Sequence, residues 1–142
     1  MAEPELDRVA ERLHAAAIRL LRNVRSADAE SGVSPAKLSA LSVLAFAGPR
    51  SLSELARAEQ LSAPTMSKTV ADLERDGLVA KTPDPRDRRG VVIEVTAQGR
   101  ALMERGRERR LAMLRARLAG FSAEDLRTLE AAAQLMLRAS AD

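Results

Sequence analysis

The sequence predicts a mainly helical chain interrupted by one small β-hairpin, and three observations predict it. Apolar residues recur at spacings of three and four over most of the chain, which is the period of a helix with one buried face. After residue 77 the pattern shortens to two runs rich in β-branched residues, separated by a charged loop bounded by proline and glycine. Residues that cap or stop helices fall at the ends of the periodic runs.

The elements follow in order. Leu6, Val9, Leu13, Ala17, Leu20 and Val24 form one helical stripe ending near Ser26, and the polar stretch from Asp28 to Val33 reads as a loop. Ser34 and Pro35 then look like an N-cap followed by proline at the first helical position, where its missing N–H costs nothing. That helix carries Leu38, Leu41, Leu44 and Ala45 and stops at Gly48-Pro49. Ser51-Leu-Ser-Glu54 has the form of a capping box opening a short helix with Leu52, Leu55 and Ala56. After a turn at Gln60-Leu61, Ser62 can cap another helix whose buried side is Met66, Val70 and Leu73, and whose end is Asp76-Gly77. Leu78–Thr82 and Val91–Val95 are the predicted strands, with Val91, Ile93 and Val95 on one face. Thr96 caps a long helix to about Ala119, with Leu102, Leu111, Leu114 and Leu118 as candidate buried positions. Beyond Gly120-Phe121, Ser122 opens a last helix with Leu126, Leu129, Ala133 and Met136 on its stripe.

Composition narrows the function. With 142 residues the chain is long enough for its own core, and with no cysteine it has no disulfide, thiol or cysteine-metal chemistry. No run is long and apolar enough to span a membrane, and the N-terminus lacks the pattern of a signal peptide, so a soluble, cytoplasmic protein is expected. The single histidine, His14, offers poor material for a nucleophile–base pair or a metal site, and the seven glycines are isolated rather than gathered in a phosphate loop. Catalysis, a metal and a cofactor are not expected. Two phenylalanines and no tyrosine or tryptophan disfavour stacking on single-stranded nucleic acid.

The net charge of +3 says little, but its distribution says more: from Lys81 to Arg89 four basic residues stand against two acidic ones. Two short capped helices, a tight turn and a hairpin with a basic tip, in that order over residues 51–95, make a winged helix-turn-helix. The second helix can lie in a major groove with its first turns toward the base edges. With Met66, Val70 and Leu73 turned inward, Ser62, Pro64, Thr65, Ser67 and Lys68 face outward as candidate DNA-binding residues. The three hydroxyl residues also admit a reading as caps or solvated positions. Lys68 suits a phosphate better than a base. Arg86, Arg88 and Arg89 at the hairpin tip are candidates for the minor groove, where a narrow groove concentrates negative potential. Arg88 also reads as a solvated loop charge. Asp84 and Asp87 repel phosphate, so their expected role is to orient the arginines. A winged helix serving protein contacts, or an architectural DNA-binding module, is the alternative reading of the same unit.

The runs Leu52-Ser-Glu-Leu-Ala56, Leu61-Ser-Ala-Pro-Thr-Met-Ser-Lys68, Leu73-Glu-Arg-Asp-Gly-Leu-Val79, Asp84-Pro-Arg-Asp-Arg-Arg89 and Thr96-Ala-Gln-Gly99 together resemble the multiple-antibiotic-resistance regulator (MarR) family. The resemblance extends over nearly the whole chain, and the wing run is its most specific part. It implies N- and C-terminal dimerisation helices, at 1–33 and 96–142, around a DNA-binding lobe at 34–95, in one compact unit. It further implies a homodimer on a pseudo-palindromic operator of double-stranded DNA, mostly repressing its own and neighbouring genes. By the same likeness Arg89 matches the wing arginine that enters the minor groove, and Asp87 the acid that braces it. Thr65, Ser67 and Lys68 match recognition-helix positions, while Gln60 stands where many members have glycine. Many members release DNA on binding a small, often phenolic, effector. His14 is a candidate ligand contact here, with a packed or partly exposed surface histidine as the plainer reading.

Overall fold

Ser34 and Pro35 set the start of the first core helix as their chemistry requires: the serine hydroxyl oxygen accepts from the Lys37 N–H, and the proline occupies the first helical turn. The computed structural model describes residues 3–141. Its elements are α1 (Glu3–Arg25), a 3-10 turn (Ser26–Ser31), α2 (Pro35–Ala47), β1 (Arg50–Ser51), α3 (Leu52–Ala58), α4 (Ala63–Arg75), β2 (Val79–Asp84), β3 (Asp87–Val95), α5 (Ala97–Leu118) and α6 (Ala123–Ala139). The chain divides into two units, Met1–Arg110 and Leu111–Asp142, with α5 running through the division.

The core lies in the first unit, where the helical and strand periods converge. Ala40, Leu41 and Leu44 of α2, Leu55 and Ala56 of α3, and Met66, Val70 and Leu73 of α4 meet Leu78, Val79, Ile93 and Val95. Leu102 and Met103, from the first turns of α5, pack against this cluster. The sheet has three antiparallel strands in the order β1-β3-β2. The third strand is the two-residue β1, which pairs Arg50 with Ile93 and Ser51 with Val92. Such a short strand leaves no periodic trace in a sequence.

Several features differ from the sequence reading. The strands run on to Asp84 and resume at Asp87, where the sequence predicts a loop between Thr82 and Val91, and Leu111 of α5, a candidate buried position, is exposed. Of the stretch Asp28–Val33, expected as a loop, the residues as far as Ser31 belong to the 3-10 turn, which ends at Gly32 with φ 71. In β3 the buried residues are Val92, Ile93 and Val95, while Val91 is exposed. Strict alternation fails because β3 outruns the core. Val91 sits opposite Pro83 on the protruding part of the hairpin, where it stays half-exposed, whereas Val92 is flanked by Ser51 and Thr82 on its two neighbouring strands.

A close junction ties the end of α4 to the start of α5. Gly77 takes a left-handed conformation, φ 76, that closes α4. The Thr96 hydroxyl donates to the Gly77 carbonyl at 2.6 Å and accepts from the Gly99 N–H at 3.1 Å, while the Thr96 N–H donates to the Leu78 carbonyl at 3.0 Å. Backbones can come this near only because residue 99 lacks a side chain: a Cβ there would lie 2.3 Å from the Leu78 oxygen.

In α1 no described residue is buried, and Leu6, Val9, Leu13 and Leu20 are exposed. The same holds in α6, where Leu126, Leu129 and Met136 are exposed, as is Leu111 of α5. No helix among the described residues is long and apolar enough to cross a membrane.

Candidate nucleic-acid interface

α3 and α4 are set against each other by their caps and by the turn between them. The Ser51 hydroxyl accepts from the Glu54 N–H at 3.2 Å and starts α3. Only this half of the capping box forms, because the Glu54 carboxylate turns instead toward Arg50 and Arg86. The turn is drawn tight by the Leu61 N–H donating to the Ala56 carbonyl at 2.9 Å. This geometry puts Gln60 in the left-handed region, φ 56, the only non-glycine there among the described residues. Ser62 caps α4: its oxygen accepts from the Thr65 N–H at 3.3 Å, and its hydroxyl donates to the Thr65 hydroxyl oxygen at 2.8 Å.

With Met66, Val70 and Leu73 fully buried, the opposite side of α4 is presented to solvent. Ser62, Pro64, Thr65, Ser67 and Lys68 are all exposed there, in two successive turns. Lys68 has no carboxylate within 4.0 Å among the described residues, so its charge is available to an external anion.

The wing is a tight hairpin whose turn is held by its two aspartates. The Asp84 carboxylate accepts from the Arg86 N–H at 2.8 Å, and the Asp87 carboxylate accepts from the Arg89 N–H at 3.0 Å. Asp87 therefore shapes the backbone under Arg89 rather than neutralising its guanidinium. The three arginines differ. Arg86 faces two carboxylates, Asp84 at 3.6 Å and Glu54 at 3.4 Å. Arg88 and Arg89 are exposed with no carboxylate in ion-pair range among the described residues. Two unpaired cations at the tip of a narrow ribbon can reach polyanionic surfaces that a flat patch cannot.

A second feature of the same unit is a cleft of about 680 Å³ bordered by α1, the 3-10 turn, α2 and α5. Leu21, Val24, Leu38, Leu102 and Met103 give it apolar walls, and Arg25, Arg109 and Arg110 line it as well. Arg110 binds Asp28 at 2.6 Å and Arg109 lies 3.9 Å from Glu30. The Nε of Arg109 is buried without a hydrogen-bond acceptor. His14 is exposed on α1 and does not line this cleft. The sequence reading did not single out this arginine set, and it gave Glu54 a capping role only. Arg109 and Arg110 sit in a helix with arginines on every side, where nothing in the spacing marks the two that turn inward.

A helix-turn-helix with an exposed, hydroxyl-rich face bearing Lys68, flanked by the short β1 and a β2–β3 hairpin with a basic tip, defines a winged helix-turn-helix DNA-binding protein. A sequence profile described as "MarR family" matches residues 31–90. An uncharacterized HTH-type transcriptional regulator of Mycobacterium bovis is 36% identical over 130 residues, covering 92% of this chain and 91% of the relative. The crystal structure of a transcriptional regulator of Thermotoga maritima is similar at 26% identity with a TM-score of 0.81, covering 93% of this chain and 96% of that one. The structure of a MarR family protein from Bacillus stearothermophilus has 25% identity and a TM-score of 0.79, with 97% and 96% coverage. The chain belongs to the MarR family of DNA-binding transcriptional regulators and is not an enzyme.

Proposed function

We propose that the chain acts as a homodimer that binds a pseudo-palindromic operator, represses its own and neighbouring genes, and releases DNA when a small organic anion occupies the α1–α2–α5 cleft. The observation that carries the DNA reading is the pairing of two exposed features. Ser62, Pro64, Thr65, Ser67 and Lys68 line one face of α4, and Arg88 and Arg89 stand unpaired on the wing. In this reading the first turns of α4 enter the major groove, Lys68 holds a phosphate, and Arg89 enters the flanking minor groove. Residues 34–95 are the DNA-binding lobe, and the segments 1–33 and 96–142 carry the dimer contacts.

The dimer reading rests on the uncovered seams of α1 and α6, since a water-exposed row of leucines at each end of the chain is costly unless a second copy covers it. Two-fold symmetry then sets two copies of α4 about one helical turn of DNA apart, which matches an inverted repeat. Repression follows from occlusion of promoter DNA by such a dimer. The effector reading rests on the cleft: apolar walls with arginines among them suit a compact hydrophobic anion. Release then requires only that the anion bind the free form more tightly than the DNA-bound form.

The test is fluorescence anisotropy of the purified protein on DNA from upstream of its own gene, at several salt concentrations, against a scrambled duplex. Nanomolar binding to the native duplex, with a steep salt dependence and weak binding to the scramble, is expected. Equal, weak binding to both duplexes, and to a pool of other promoter fragments, would refute operator recognition and favour a winged helix given over to protein contacts.

A further inference from the structure

Glu54 occupies an odd place. It is a carboxylate beside a surface proposed to meet phosphates, and its position in the chain suggests only a capping role. Instead it stands between two arginines from different elements, with Arg50 Nε at 3.9 Å and Arg86 Nη2 at 3.4 Å. Arg86 is in turn clasped from the wing side by Asp84, both through its guanidinium and through its backbone N–H. A continuous chain of charge-assisted contacts therefore runs from β1, through the first turn of α3, to the hairpin turn. It spans the open groove between the helix and the sheet that Pro49, Thr82 and Val92 help to line.

From this geometry we infer that Glu54 is a positioning residue for the wing. Through Arg86 it fixes the hairpin tip against α3, so that Arg88 and Arg89 are presented at a set distance from α4. Arg86 is thereby a strut rather than a groove contact, because a guanidinium already facing two carboxylates has less to gain from a phosphate. The Arg86 side chain is 68% exposed, so the contact adds little to global stability. Its effect is on the freedom of the hairpin, whose protruding part has no core contact of its own. The inference rests on the proposed entry of the wing arginines into DNA, and the controls separate the two.

The test uses the full-length protein and a duplex that the parent selects from a random-sequence library. Glu54→Gln keeps the backbone cap on Ser51 and removes the charge. It is expected to quicken amide exchange across residues 84–91 without altering residues 62–76. It is also expected to weaken binding by about three- to fivefold, the range an exposed ion pair can hold in place. Arg86→Gln and the double variant are expected to show the same loss, since the two side chains act as one unit. Unchanged exchange in the wing overturns the inference. So does unchanged or tighter binding by Glu54→Gln while Arg89→Ala binds poorly, which is the outcome if Glu54 does no more than repel phosphate. If neither Glu54→Gln nor Arg89→Ala changes binding, the wing does not meet DNA, and the strut falls with that reading.

Discussion

Replacing Gly99 with alanine sets two effects against each other, and the structure decides between them. In a helix, alanine is favoured over glycine by about 1 kcal/mol. Residue 99 lies in the first turn of α5, so propensity alone predicts a gain. The added Cβ, however, would stand 2.3 Å from the Leu78 carbonyl oxygen and 2.7 Å from a Val95 methyl, where real Cβ atoms essentially never come within 3.0 Å. The nearer partner is backbone and cannot rotate away, so α5 must move off Leu78 by about 0.7 Å, the difference between 2.3 and 3.0 Å. Overpacking of this kind costs about 1–3 kcal/mol. The same movement stretches the bond from the Thr96 N–H to the Leu78 carbonyl and the bond from the Thr96 hydroxyl to Gly77, each worth about 1 kcal/mol. The clash wins, with a net destabilisation of about 2–3 kcal/mol, which for a chain of this size lowers the melting temperature by about 5–10 °C. Circular dichroism melts at one fixed protein concentration measure it, because a dimer's midpoint depends on concentration. Gly106→Ala is the control. Its Cβ would meet the side-chain end of Arg110, at 3.3 Å, which is bound to Asp28 but is not backbone, so this substitution should cost less than Gly99→Ala. A Gly99→Ala protein that melts with the parent would refute the close-approach argument.

Three further outcomes are expected. Arg89→Ala should cost about 1–3 kcal/mol of binding to the operator, and parent-like anisotropy would remove the wing from the interface. Lys68→Ala should weaken binding to all duplexes alike and flatten the slope of log affinity against log salt by about one unit, so an unchanged slope denies it a phosphate. Gln60→Gly should stabilise the fold: relief of a left-handed side-chain residue is worth about 1–2 kcal/mol and exceeds the roughly 0.5–1 kcal/mol of chain entropy that glycine adds, so a lower melting temperature would contradict it.

What the sequence made legible was what local chemistry dictates. Ser34, Ser51, Ser62 and Ser122 all cap the helices that their spacing announces, and Gly77 closes α4 in the left-handed conformation that its place after Asp76 suggests. The buried side of α4 follows from the spacing of Met66, Val70 and Leu73, and its exposed side follows with it. Illegible were the features that depend on partners distant in sequence. Glu54 satisfies a capping pattern, yet its carboxylate is drawn 32 positions along the chain to Arg86. Arg110 looks like one more solvated arginine until the fold brings it to Asp28, 82 positions away. Val91 obeys the strand period, but period alone does not say where the core ends.

The junction at Gly99 also bears on how an effector would act. α5 contributes Leu102, Met103, Gly106, Arg109 and Arg110 to the cleft, and one turn earlier the same helix is fastened to the closing residues of α4. A helix that touches both places carries a tilt from one to the other, because the Thr96–Gly77 and Thr96–Leu78 bonds leave little play. An anion that draws Arg110 from Asp28, or Arg109 from Glu30, would alter the tie between α5 and the 3-10 turn and so favour one orientation of the helix. Weakening DNA binding a hundredfold needs only about 2.7 kcal/mol of difference between the two orientations. That is the scale of the two Thr96 hydrogen bonds together, so under the proposed effector reading loosening this junction should blunt release of DNA by the anion, read by anisotropy, while leaving the cleft able to bind it.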